Sequence, residues 1–216
     1  PFHLLHRPRL WNKLDKVWMG HERKRGKLLD LNCYLRGGAR DRFQCVIGDH
    51  SGITGIQYVI TLDADTLLPR ETARQLIATI AHPLNRAHLD QGSRRIRRGY
   101  AILQPRVTIH RQSEDASLLT RLINGDGCID PYTKAVSDVY QDLFQEGSFI
   151  GKGIYDLDGF QASTNGRFPE NRILSHDLIE GCFGRCGFVT DVQIVEESPT
   201  RYSSDAKRRH RWMRGD

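Results

Sequence analysis

The segment that most constrains the fold is an apolar, β-branched run that ends at two aspartates spaced one residue apart, QYVITLDADT, residues 57–66. The run lacks polar alternation, which is typical of a strand covered on both faces, as in a parallel sheet flanked by helices. Ligands of such sheets bind at the carboxyl ends of the strands. The pattern therefore predicts a buried strand that ends at a ligand-binding edge.

The two aspartates, Asp63 and Asp65, are candidate ligands for a divalent cation. Side chains repeat every second residue along an extended chain, so both carboxylates are predicted to lie on the same side. Magnesium and manganese prefer such oxygen donors and are often completed by substrate phosphates, which favours a nucleotide diphosphate as ligand. The alternative is a solvated, Asp-rich turn before a helix.

Length and composition are those of one α/β domain or most of one, because 216 residues can bury a sizeable core. Neither a transmembrane-length apolar run nor a signal-like start is present in the sequence. The net charge of +6 comes from a basic start and a basic end around an acidic centre. Nucleic acid, an anionic membrane surface and a phosphate-bearing substrate are all compatible with this charge.

The amino-terminal part combines basic and aromatic residues. Residues 1–20 are predicted to be an irregular lead-in, followed by a helix that stops at Gly37 and Gly38. Lys27, next to a glycine in a basic stretch, is a candidate contact for a diphosphate, because an ammonium group binds phosphate as a point charge. A solvated basic turn is the alternative.

The central part alternates predicted elements. The periodicity predicts a helix over residues 71–82, a loop over 84–99 and a strand over 100–105 that proline stops. Two further helices are predicted over residues 118–123 and 134–145. The buried stripe of the second comprises Val136, Val139, Tyr140 and Leu143.

Two later motifs are candidates for chemistry. Gly151, Lys152 and Gly153 predict a backbone that bends tightly or approaches a ligand, without the spacing of a P-loop. Asp177 opens a predicted helix, either as an N-cap in a capping box with Glu180 or as a base, and the two roles are compatible. A strand over residues 187–192 and a basic helix over 203–212 complete the chain.

In this order, the motifs ITLDADT, GSFIGKGIYD, ILSHDLIEG and RRHRWMRGD resemble the inverting, processive glycosyltransferases. The resemblance extends from about residue 22 to the last residue, and it is strongest to the glucosyltransferase domain of cyclic β-1,2-glucan synthases. It implies an α/β fold of the GT-A, nucleotide-diphospho-sugar transferase type, with a mainly parallel sheet flanked by helices.

The resemblance also implies the site residues. Asp63 and Asp65 match the residues that hold magnesium or manganese on UDP-glucose, and Asp177 matches the catalytic base. The residues that match substrate-binding positions are Lys27 at the diphosphate, Gly151, Lys152, Gly153 and His176 in the two loops, and Arg208, Arg211 and Trp212 near the end. Arg208 stands where many relatives have the glutamine of Q-x-x-R-W, and Ser-His-Asp stands where many have Thr-Glu-Asp.

The implied setting is the cytoplasmic face of a bacterial inner membrane, with UDP-glucose and a growing β-glucan as partners and no nucleic acid. Residues 1–216 are expected to be a single, partial GT-A domain that lacks its first strand or strands, from a larger protein that reaches the membrane through its flanking regions. Three other functions remain open: a non-catalytic nucleotide-sugar-binding remnant, another β-glycan synthase and a basic nucleic-acid-binding module.

Overall fold

The computed structural model describes residues 2–38, 40–49, 53, 55–109, 139–173, 175–197, 199 and 201–215, without the side chains of residues 211, 212, 214 and 215. The chain forms two compact units, residues 1–57 with 168–173 and residues 58–167 with 174–216. The predicted helix over residues 118–123 and the first part of the next one lie outside the described residues.

The described residues of the first unit form four short strands and a helix: β1 (Leu4–His6), β2 (Leu10–Asn12), β3 (Val17–Met19), α1 (Arg23–Leu35) and β4 (Cys45–Ile47), with a 3-10 turn at Arg40–Arg42. β1 pairs antiparallel with β4, and β2 pairs antiparallel with β3. The lead-in that the sequence predicts to be irregular therefore contains three strands. Each has three residues, which is too short for a periodicity to be visible.

Two features stabilise this unit. Trp11 and Trp18 face each other across the β2–β3 hairpin in an edge-to-face contact with ring centroids 5.9 Å apart. Asp30 of α1 is buried, and it is paired with Arg7 at 2.7 Å and Arg42 at 2.6 Å. Removing either arginine would leave the buried Asp30 carboxylate with less neighbouring positive charge, and this would lower the stability of the unit.

In the part of the second unit that the structure describes, five strands form a mixed sheet in the order β5, β10, β9, β11, β6. These strands are β5 (Tyr58–Thr61), β6 (Thr66–Leu67), β9 (Ile102–Ile109), β10 (Gly153–Asp156) and β11 (Cys186–Glu196). The β9–β11 pair is parallel, and the other three pairs are antiparallel. The α/β class is thus confirmed, whereas the mainly parallel sheet is wrong, because apolar runs do not encode strand direction.

The remaining elements are α2 (Thr72–Ala81), a 3-10 turn at Pro83–Asn85, β7 (His88–Asp90), β8 (Arg95–Arg98), α3 (Val139–Phe144), α4 (Leu157–Thr164), α5 (Asp177–Gly184) and α6 (Tyr202–Gly215). Leu76 and Ile80 of α2 pack on Leu103, Ile154, Val189 and Val192 of the sheet. Among the described residues, none of the helices combines the length and the apolar composition needed to cross a membrane.

Three further expectations are wrong. Residues 84–99, predicted as a loop, contain the β7–β8 hairpin. β9 continues through Pro105 to Ile109. Val189 of β11 is opposite Pro105 and Gln193 of β11 is opposite Arg106, so the register shifts at this point. Such a bulge tolerates the missing N–H of proline. In the described part of the predicted helix 134–145, the expected buried residues Val139, Tyr140 and Leu143 are exposed.

Candidate active site

The site lies at the edge of the second unit's sheet where β5 ends and β10 begins. Thr61, the last residue of β5, is opposite Gly153, the first residue of β10. The Thr61 hydroxyl donates a hydrogen bond of 3.3 Å to the Gly151 carbonyl. The loop of residues 147–152, which precedes β10, is called the glycine-lysine loop below. It is far from the two aspartates in sequence but meets them at this edge.

The two aspartates follow β5 in a turn. The Thr66 N–H donates to the Asp63 carbonyl at 3.1 Å, and the Asp63 N–H donates to the Thr66 hydroxyl at 3.3 Å. Asp65 lies within this turn and is exposed, while the Asp63 side chain is 39 % exposed. The extended geometry predicted for the pair is therefore wrong, because the chain turns between the two residues.

Lys152 is the charged centre of this edge. Its ammonium group contacts Asp63 at 3.4 Å and donates to Glu196, the last residue of β11. The short strand β6 brings Glu196 to this position by pairing it with Thr66. Burial lowers the pKa of Lys152, but the charges and hydrogen bonds of Glu196 and Asp63 outweigh burial and raise that pKa above its ordinary 10.5. Lys152 is therefore a fixed positive charge at neutral pH.

Asp177 lies on the other side of the glycine-lysine loop. A Cβ atom at Gly151 would be 2.7 Å from both Asp177 carboxylate oxygens and 2.8 Å from Cγ, so the backbone of Gly151 lies directly against the carboxylate. The φ of +83° at Gly151 also favours glycine. Asp177 is the first residue of α5 and His176 is its N-cap, so the prediction of Asp177 as the N-cap is wrong.

His176 and Glu180 adjoin Asp177 on α5. His176 Nδ1 is 2.8 Å from Glu180 Oε2 and 3.4 Å from Asp177 Oδ1. Both His176 and Glu180 are buried, whereas the Asp177 side chain is 24 % exposed. A helix N-terminus favours an ionised carboxylate, and the exposed part of Asp177 is accessible to a substrate hydroxyl.

The glycine-lysine loop is held by the sheet and by α5. The Gly147 N–H donates to the Cys186 carbonyl at 2.7 Å, and the Ile150 N–H donates to the side chain of buried Gln104 at 3.1 Å. A Cβ at Gly181 would be 3.0 Å from the Cβ of Phe149, so α5 packs closely on this loop. The position of Gly151 against Asp177 is thus fixed from several directions.

The structure gathers six of the predicted site residues, Asp63, Gly151, Lys152, Gly153, His176 and Asp177, while Asp65 lies in the turn after Asp63. Lys27 is exposed on α1 of the first unit. Arg208, on α6, is paired at 3.1 Å with buried Asp205. Arg211 and Trp212 belong to the same helix, and their side chains are not described.

Two carboxylates near the site, Glu196 of β11 and Glu180 of α5, are not predicted as site residues from the sequence. Glu196 is the acidic end of an apolar strand, the same signal that drew attention to Asp63, but the predicted strand ended before it. The sequence pattern predicts Glu180 as a capping residue, although its spacing of four from His176 on a helix also predicts a side-chain contact.

The donor set of the edge fits a hard divalent cation. Asp63 and Asp65 offer carboxylate oxygens, which magnesium and manganese prefer. Among the described residues of this edge, Asp63, Asp65 and Glu196 are three carboxylates beside the Lys152 ammonium group. Among the described residues, the group whose ligand atoms all lie within 4.8 Å is His176, Asp177 and Glu180, and in it His176 and Glu180 bond each other.

Comparison with known proteins finds a relative among the glucan synthases. The chain is 47 % identical, over all of its 216 residues, to the cyclic beta-(1,2)-glucan synthase NdvB of Rhizobium meliloti (strain 1021). It spans 8 % of the length of that protein. A search against protein-family models finds no match.

Proposed function

We propose that this chain, which is homologous over its whole length to a segment of a cyclic beta-(1,2)-glucan synthase, is an inverting glucosyltransferase segment that elongates a β-1,2-glucan from UDP-glucose. One observation carries the proposal. Through Lys152 and Gly151, a single loop contacts Asp63 at the end of β5 and the carboxylate of Asp177. A transferase of this kind needs a donor-binding group and a base on either side of one reacting centre.

In the proposed reaction, Asp177 accepts the proton of an acceptor hydroxyl as the hydroxyl oxygen forms a bond to the anomeric carbon of glucose. The bond between that carbon and the diphosphate oxygen breaks, and its electron pair remains on UDP. Attack from the face opposite UDP converts an α-linked donor into a β-linked product. Asp177 ends the step protonated and returns its proton to solvent.

The remaining roles concern charge and orientation. Asp63 and Asp65 would hold magnesium or manganese, which stabilises negative charge on the leaving diphosphate. Lys152 adds a fixed positive charge beside Asp63. Following the resemblance to the processive glycosyltransferases, we assign Lys27 and Arg211 to phosphate and Trp212 to stacking on the acceptor sugar. Arg208 is assigned to substrate binding at the position of the family's glutamine.

The proposed setting follows the same resemblance: a GT-A fold at the cytoplasmic face of a bacterial inner membrane, with the growing glucan as acceptor. The mixed α/β sheet of the second unit is compatible with that fold.

The test is transfer of glucose from UDP-glucose by the full-length protein in the presence of magnesium or manganese, followed by NMR of the product. The proposal predicts incorporation into β-1,2-linked glucan. A product with α-linked glucose would contradict inversion, and incorporation from another nucleotide sugar but not from UDP-glucose would contradict the donor assignment.

A further inference from the structure

The buried pair formed by His176 and Glu180 has no role in the reaction as written above. His176 is 8 % exposed and Glu180 is 3 % exposed, so both polar groups are removed from water. Burying a carboxylate is costly unless it is paired, and apolar residues often replace buried ion pairs without loss of stability. A buried pair beside a proposed base therefore invites a functional explanation.

The geometry of the pair assigns the hydrogen on the imidazole. Nδ1 of His176 faces Glu180 Oε2 at 2.8 Å and Asp177 Oδ1 at 3.4 Å. A lone pair on Nδ1 would point at two negative oxygens, whereas an N–H there is attracted to both. Nδ1–H therefore donates to Glu180, and the same edge of the ring faces Asp177.

Asp177 is enclosed from the opposite side by Gly151, because no room for a Cβ exists between the Gly151 backbone and the carboxylate. Asp177, the proposed base, therefore lies between the Gly151 backbone and the His176 imidazole, and Glu180 orients that imidazole. The Glu180 N–H also donates to the His176 carbonyl at 2.9 Å, which fixes the first turn of α5 that carries all three residues.

Resting on the proposed role of Asp177 as base, we infer that His176 and Glu180 are a positioning pair: Glu180 orients the imidazole, and Nδ1–H of His176 orients the Asp177 carboxylate toward the acceptor hydroxyl. Neither residue exchanges a proton in the reaction. A misplacement of about 1 Å in a reacting group lowers the rate about 100-fold, so loss of the positioning pair should lower kcat.

The first test replaces Glu180 in the full-length protein. Glu180→Leu should lower kcat about 100-fold, because the imidazole loses its acceptor, while KM for UDP-glucose is unchanged. Glu180→Gln keeps an acceptor oxygen and should retain most of the activity. Glu146→Gln, which alters a glutamate that pairs with Arg185 in the same unit, is the matched control and should leave both constants unchanged.

The second test separates positioning from packing and does not depend on Glu180→Leu folding. An asparagine amide superposes on the Nδ1 position of histidine, whereas a glutamine amide superposes on Nε2. His176→Asn should therefore retain substantially more kcat than His176→Gln, with equal thermal midpoints. Equal activity of these two variants, or Glu180→Leu with normal kcat, overturns the inference.

The variant Asp177→Asn distinguishes the failure of this inference from the failure of the proposed function. If Asp177→Asn transfers glucose at the normal rate, the base assignment itself is wrong, and the pair has nothing to position. If Asp177→Asn is inactive while Glu180→Leu and His176→Gln are fully active, only the positioning role is refuted.

Discussion

Gly151 is the residue at which the two sides of the proposed site touch. Its carbonyl accepts from Thr61 of β5, its backbone lies against the Asp177 carboxylate, and the next residue, Lys152, contacts Asp63. A side chain at this position would displace the base or the loop. Gly151 is therefore a geometric requirement of the arrangement.

Gly151→Ala should abolish most glucose transfer. The new Cβ would lie under 3 Å from the Asp177 carboxylate, and the φ of +83° adds strain of about 1 kcal/mol or more. We expect a loss of about 100-fold in kcat, measured with UDP-glucose. Gly166→Ala is the matched control, because Gly166 has a φ of +69° and open space around its Cβ position. Equal activity of the two variants would refute the contact with Asp177.

Lys152→Met tests the competition between an ammonium group and a metal ion for Asp63. Removing the positive charge 3.4 Å from Asp63 should increase the affinity for manganese, by about tenfold after allowance for solvent screening. Titration followed by the EPR signal of free manganese measures this affinity without turnover. Lys152→Arg keeps the charge and serves as the control. Weaker manganese binding by Lys152→Met would exclude Asp63 as a ligand.

Sequence patterns reveal those site residues that can be recognised from their immediate neighbours in the chain. Asp63, Asp177 and the glycine-lysine loop stand out because each ends or opens an element. Glu196 and Glu180 do not stand out, because the role of Glu196 depends on pairing with Thr66, far away in the chain, and the role of Glu180 depends on burial. The local sequence places Glu180 four residues after His176 and Glu196 at the end of an apolar run, but it encodes neither the burial of Glu180 nor the pairing of Glu196.

At the scale of elements, α2 shows what periodicity predicts well. It covers Thr72–Ala81, close to the predicted 71–82, and packs Leu76 and Ile80 on the sheet. The β7–β8 hairpin and the passage of β9 through Pro105 were missed, because one is polar and short and the other depends on a bulge set by β11. Strand direction depends likewise on the pairing partner.

Leu76→Ala should lower the free energy of unfolding of the second unit by about 2–5 kcal/mol, because Leu76 is fully buried against the sheet. Ile77→Ala is the matched change on the same helix, at a side chain that is 43 % exposed, and should cost less than about 1 kcal/mol. Chemical denaturation measures both. Similar losses for the two variants would show that α2 does not pack as described.

Glu22, which precedes α1, gives the first unit a predicted acid sensitivity. Burial raises the pKa of its carboxyl, but hydrogen bonds from the Asn171 N–H and Arg25 outweigh burial, and the pKa lies below its ordinary 4.5. A lowered pKa stabilises the fold above pH 4.5, and this stabilisation is lost as the pH falls toward the folded-state pKa. In unfolding measured against pH, Glu22→Gln should show a smaller loss of stability below that pH than the parent chain. An unchanged profile would contradict the assignment.

At the scale of the whole molecule, the second unit combines the proposed donor and acceptor sides, although their residues are separated by more than half of the chain. β5, β9 and β11 run in the same direction, because β5 and β9 are both antiparallel to β10 and β11 is parallel to β9. The ends of β5 and β11 therefore bring Asp63 and Glu196 to Lys152. α5 places Asp177 on the other side of the same loop.

The most direct test of this account compares two isosteric changes, Asp63→Asn and Asp177→Asn, in the full-length protein. UDP binding is measured by calorimetry with and without magnesium, and glucose transfer is measured in parallel. Asp63→Asn should lose the magnesium-dependent part of UDP binding, because a metal ligand is removed. Asp177→Asn should bind UDP normally and fail to transfer glucose, because the base is removed. Normal transfer by Asp177→Asn, or unchanged magnesium-dependent UDP binding by Asp63→Asn, would contradict the central claim.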